Sequence, residues 1–265
     1  MSESNPYQPP GSPPPRPTPA VMPSVAPAFS ATPRSVDAGR GWEWIAEGFA
    51  LFKKQPGTWI LILIVFVVCA TLIHFIPVIG SLAGVLLTQV FMGGLMLGCA
   101  ALARDEPLEV GHLFAGFKQN TGDLVLLGVL TVVGWILALI PAVLIAGGGA
   151  FMSMMMGGEP IAHVGAMGLS FFLALLVVLA LAVPLYMALW FAPSLIVFNQ
   201  LKPVEAMKTS FYACLKNIVP FLIYGVIAVV LCLIAAIPFG LGFLVLGPVL
   251  FASIYTGYRD IFTAG

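Results

Sequence analysis

The chain has 265 residues, of which 60% are apolar and 8% charged, against roughly 25% charged in a soluble domain. With a mean hydropathy of +1.05, that balance excludes a water-soluble globular fold and leaves a polytopic α-helical membrane protein. Eleven Lys and Arg offset eleven Asp and Glu, so no net charge recruits nucleic acid or an acidic substrate.

Residues 1–38 hold eleven of the 22 prolines, as in Pro9-Pro10-Gly11-Ser12-Pro13-Pro14-Pro15. Such a segment lacks the apolar side chains needed to form a core and is expected to be a disordered cytoplasmic tail. It has no short basic start followed by an apolar run, so the first hydrophobic helix is expected to direct insertion. Residues 39–265 then form the membrane domain.

The membrane domain opens with an amphipathic segment. Trp42, Ile45, Phe49 and Phe52 recur at helical intervals, while Arg40, Glu43, Glu47 and Lys54 lie at other angles. Six apolar runs follow, and the pattern predicts spanning helices over 58–76, 79–103, 124–146, 168–190, 218–237 and 241–258. Each is near the roughly 20 residues that a 30 Å hydrocarbon core requires. The fourth run overshoots one span and continues to Phe198, with Pro184 as the expected kink. Lys and Arg all fall before helix one, between two and three, between four and five, or after six. The positive-inside rule therefore places both termini and the two long charged connections in the cytoplasm.

An internal repeat is visible in Phe49-Ala-Leu-Phe52-Lys53, Phe114-Ala-Gly-Phe117-Lys118 and Tyr212-Ala-Cys-Leu215-Lys216. Ile76-Pro77, Ile140-Pro141 and Ile237-Pro238 close the helix that follows each. The expected architecture is an all-α bundle of three repeated hairpins, over about 39–105, 106–200 and 201–262, each preceded by a cytoplasmic amphipathic helix. Pro107 and Pro203 are the expected first residues of the second and third amphipathic helices.

Three stretches, Gly41-Trp42-Glu43-Trp44-Ile45, Ala192-Pro193-Ser194-Leu195-Ile196-Val197 and Tyr258-Arg259-Asp260-Ile261-Phe262, resemble an uncharacterised family of proteobacterial inner-membrane proteins over about 39–262. More remotely, the repeated module is similar to the membrane domain of bacterial glycerophosphodiester phosphodiesterases. The soluble hydrolase domain of those enzymes has no counterpart here. The resemblance implies an inner-membrane, six-helix fold and no phosphodiesterase activity.

Candidate functional residues follow from the amphipathic segments. Trp42, Trp44, Phe49 and Phe52 suit a wet membrane boundary, and Lys53, Lys54, Lys118, Lys208 and Lys216 are placed to meet lipid phosphates. Gly80, Gly84, Gly94 and Gly98 form two G-x-x-x-G pairs, a close-approach surface for packing within the bundle or between two copies. Arg259-Asp260 reads as a structural cluster, Arg reaching towards phosphates and the acid pairing locally. Gln89 is expected to make an interhelical hydrogen bond. Met152, Met154, Met155, Met156 and His163 sit in an expected external loop, where a soft cation is the alternative to flexible apolar packing. No nucleophile elbow, zinc-protease helix, phosphate loop or intramembrane carboxylate pair is present. The expected role is non-enzymatic and cofactor-free: binding lipid headgroups, or a membrane or cytoplasmic protein, through the amphipathic helices. The alternative is a transporter or channel for a small apolar or lipid-like solute, with a cavity at Gln89, Tyr186 and Tyr224 as its signature.

Overall fold

A computed structural model describes residues 29–263 other than 31, 78 and 156–159. Among these residues the chain is all-α, with helices α1 (Arg40–Lys54), α2 (Pro56–His74), α3 (Ile79–Ala103), α4 (Thr121–Met155), α5 (Pro160–Trp190), α6 (Ala192–Asn199), α7 (Pro203–Lys216), α8 (Ile218–Ala236) and α9 (Phe243–Phe262). A 3-10 helix, Val110–Phe117, joins α3 to α4. Five segments are long and apolar enough to cross a membrane, namely 56–74, 79–103, 121–149, 167–199 and 218–236. They match the first five predicted spans. The sixth predicted run is α9, but its second half carries Ser253, Tyr255, Thr256, Tyr258, Arg259 and Asp260, most of them buried in the bundle. That polar half makes α9 less apolar than the other five.

α3 lies at the centre and touches α2, the 3-10 helix, α4, α6 and α9. It can do so because its glycines let other backbones approach. A Cβ on Gly80 would fall 2.0 Å from the Ile73 carbonyl oxygen, and one on Gly94 would fall 2.4 Å from that of His112. Gly84 faces the His74 ring and Gly98 faces Leu108. All four glycines thus meet neighbours within this chain. The flanking helices expose their apolar side chains, among them Leu61 and Val68 of α2, Leu137 of α4, Phe172 of α5 and Val226 of α8. That is how helices facing hydrocarbon are built.

Three local features add to or differ from the sequence reading. The fourth run breaks at Phe191, beyond Pro184, through which α5 continues. Pro193 cannot donate into the preceding turn, and the Ser210 hydroxyl of α7 occupies the broken rung. It accepts the Phe191 N–H (3.0 Å) and donates to the Met187 carbonyl (2.7 Å), groups that an unbroken helix would pair directly. Secondly, the described part of 147–163 is helical where an external loop is expected: α4 runs through its glycines to Met155, and α5 begins at Pro160. Gly149 gives the two helices room to approach at Ser170. Met156, with Gly157 to Glu159, lies outside the described residues, as do the side chains of Met154 and His163. Thirdly, the second amphipathic element is the 3-10 helix, and Pro107 precedes it outside any helix. Its start is set by a capping box between Glu109 and His112. Pro203 does begin α7.

Candidate membrane interface

α1 is the element whose placement matters most. Its partners along α9 run in reverse order: Arg40 meets Asp260, the Trp44 carbonyl accepts the Thr256 hydroxyl (2.9 Å), and Gly48 abuts Val249 and Ser253. Gly41 is pressed equally closely against Pro220 of α8. α1 is therefore an antiparallel partner of α9, and its inner face of Trp44, Ile45, Leu51 and Phe52 belongs to the core.

This arrangement divides the residues that the sequence groups as an interface. Trp44 and Phe52 are 1% and 6% exposed, whereas Trp42 and Phe49 are 52% and 43% exposed. The exposed aromatic face of α1 is thus narrower than the four aromatics, because α9 and α8 cover one side of the helix. Lys53 lies over the Phe49 ring, 5.1 Å from its centroid. Lys54 is turned inwards, to the Leu102 carbonyl (2.7 Å) and the Asp105 carboxylate (2.6 Å). Lys216 donates to the Pro33 carbonyl (2.9 Å). Lys118 and Lys208 are exposed. Phe114 and Phe117 stand exposed beside Lys118, as Tyr212 and Leu215 do beside Lys216.

The acid that organises this end of the bundle is Asp260, read from sequence only as a locally paired residue. Its carboxylate accepts Trp44 Nε1 (2.9 Å), Arg40 Nε (2.5 Å) and Arg34 Nη2 (2.6 Å). Arg40 also bridges to Glu43 and Glu47. Burial works against the charged carboxylate, but the hydrogen bonds from Trp44, Arg40 and Arg34 outweigh it and hold Asp260 below the usual carboxylate range.

The segment before α1 is drawn into the same cluster. Although the composition of 1–38 predicts a disordered tail, its described part is strapped across the bundle, and residues 1–28 lie outside the described ones. Ser30 N–H donates to the Phe262 carbonyl, Arg34 N–H to that of Ile261 and Val36 N–H to Asn217 Oδ1. Asn217 Nδ2 returns a bond to the Arg34 carbonyl (2.9 Å). Gln55 plays a similar part at the end of α1, its Oε1 accepting the Leu108 N–H (3.0 Å). The signal in the sequence for these roles is thin: one amide residue just after each lysine that ends α1 and α7.

The polar residues considered for a transport path are not brought together. Gln89 bonds Thr131 of α4 (3.4 Å), Tyr224 bonds Ser253 of α9 (2.8 Å), and Tyr186 stacks edge-on against Trp135. Each closes a different helix pair, which is the bland role expected of Gln89.

A protein of Burkholderia thailandensis named a "probable inner membrane protein" is 27% identical over 252 residues, covering 86% of this chain and 92% of its own length. No family model and no solved structure matches the chain. Together with the five apolar helices, the likeness identifies the chain as an integral, multi-pass protein of the inner membrane.

Proposed function

We propose that the chain is a six-span, non-enzymatic protein whose α1, 3-10 helix and α7 lie on the cytoplasmic side and bind anionic lipid headgroups, in a membrane-organising role. The observation that carries this reading is the threefold juxtaposition of exposed apolar side chains with lysine: Trp42 and Phe49 with Lys53, Phe114 and Phe117 with Lys118, and Tyr212 and Leu215 with Lys208 and Lys216. Aromatics at the polar boundary and cations beside them are the side chains that anionic headgroups attract.

Six spans are supported by parity. Arg34 and Arg40 precede the first apolar helix, Asp260 follows the fifth, and the three are joined by ion pairs. Chain ends that touch lie on one side of the membrane, so the crossings between them are even in number and α9 completes the five apolar segments. Positive-inside asymmetry makes that side the cytoplasm. The repeat of three hairpins accounts for the lysine motif recurring at the start of each pair. A protein partner on the same surface is the alternative occupant.

The test is lipid analysis of the full-length protein extracted in native nanodiscs. Replacing Lys53, Lys118 and Lys208 together by Gln should lower the enrichment of anionic over zwitterionic lipid. Unchanged enrichment rejects headgroup binding.

A further inference from the structure

Beneath the outer edge of α1 lies an apolar groove of about 600 Å³, within the roughly 300–1,000 Å³ typical of small-molecule sites. Trp42, Phe49 and Lys53 form its α1 wall, Leu231 and Ile234 its α8 wall, and Val245 a part of its α9 wall. Lys53 is the cation on that rim. Its neighbours are neutralised within the protein, Lys54 by Asp105 and Arg40 by Asp260, Glu43 and Glu47. Among the described residues Lys53 has no acidic partner and rests only on the Phe49 ring.

What fills such a groove is decided by what surrounds it. α8 is an apolar helix of spanning length, and Val226, Val229, Val230 and Leu233 on its outer surface are 49–66% exposed. The groove therefore opens onto hydrocarbon. At its rim Lys53 is one residue from Lys54, whose partner Asp105 lies at the charged end of α3. An apolar slot entered from the lipid, with an uncompensated ammonium at the charged end, matches a molecule that is apolar along its length and anionic at its head.

We propose that this groove holds one acyl chain of an anionic phospholipid, with Lys53 meeting the phosphate and Trp42 bordering the chain. The proposal rests on the headgroup-binding reading and sharpens it: one lipid is retained at a defined site, beyond the general attraction of the basic surface.

The experiment is native mass spectrometry of the full-length chain released from nanodiscs containing phosphatidylglycerol and phosphatidylcholine with the same acyl chains. Wild type should retain one phosphatidylglycerol. Lys53→Gln should weaken that retention about fivefold, the equivalent of one surface lysine. Ala46→Trp, which places an indole in the groove from α1, should abolish it while the thermal unfolding curve in detergent is unchanged. Equal retention of both lipids, or a Lys53→Gln variant that behaves as wild type, overturns the proposal. So does a groove-dependent adduct that is a peptide or a second copy of the chain. Bulk lipid enrichment in the same nanodiscs reports the broader reading separately: enrichment kept without a retained lipid removes the groove site alone, and loss of both removes both.

Discussion

The Trp44 indole N–H donates to the Asp260 carboxylate at 2.9 Å, joining residues 216 positions apart. Around this bond the start of α1, the end of α9 and the strap before α1 are held as one unit. Removing the carboxylate leaves the buried Trp44 N–H without an acceptor and Arg34 without its acid, while Arg40 keeps Glu43 and Glu47.

Replacing Asp260 by Ala should therefore cost about 3 kcal/mol, whereas Asp260→Asn, which keeps an acceptor for Trp44, should cost less. Thermal unfolding of the detergent-solubilised protein, followed by Trp fluorescence, measures both. A second expected sign is faster proteolysis within residues 29–37, because Arg34 loses its anchor.

The same carboxylate gives a pH dependence of known sign. Its pKa is lowered in the folded protein from the ordinary 3.8, so the unfolded chain takes up the proton first. Its contribution is fully present above 3.8 and is lost as pH falls through the lower folded value. Stability should thus be flat on this account from pH 7 to 5 and decline only below about 4. Asp260→Asn should remove that part of the decline.

Ser210 bridges the broken rung between Met187 and Phe191. Ser210→Ala leaves the buried Phe191 N–H without its acceptor and the Met187 carbonyl with only the weak Cys214 Sγ donor, at an expected cost of about 1–3 kcal/mol. Ser210→Thr preserves the hydroxyl and should recover part of it. Chemical denaturation in mild detergent distinguishes the two.

Gly94→Ala forces a Cβ against the His112 and Leu113 carbonyl oxygens, at 2.4 and 2.7 Å, and backbone cannot swing aside as a side chain can. An overpacking cost of about 1–3 kcal/mol is expected. Gly57→Ala, with open space around its Cβ, should be close to neutral. Because Gly94 faces its own 3-10 helix, the variant should change melting temperature without changing oligomeric state in size-exclusion chromatography.

Single cysteines introduced at Lys208 and at Phe239 test the six-span topology. Phe239 is fully exposed in the turn between α8 and α9. A membrane-impermeant maleimide on intact spheroplasts should label position 239 and spare 208 until the membrane is opened. Labelling of both, or of 208 alone, contradicts both termini being cytoplasmic.

Composition and apolar run length by themselves determined that this chain crosses a membrane as helices, and α3 begins and ends where its run does, at Ile79 and Ala103. The reason is physical: in hydrocarbon every backbone group must be satisfied within its own helix, so length and hydropathy are nearly sufficient to place a span. Helical spacing likewise marked α1 as amphipathic. Only the tertiary structure decided which of its faces is which, because Trp44 looks like Trp42 until α9 covers one of them. The same holds for the break at Phe191, which depends on a hydroxyl from another helix, and for the strap at Arg34, whose ordering depends on an acid 226 residues away. Local pattern reports the solvent an element prefers; its partners are set by contacts distant in sequence, and at Asp260 those contacts turn a surface-looking Arg-Asp pair into the buried joint of the fold.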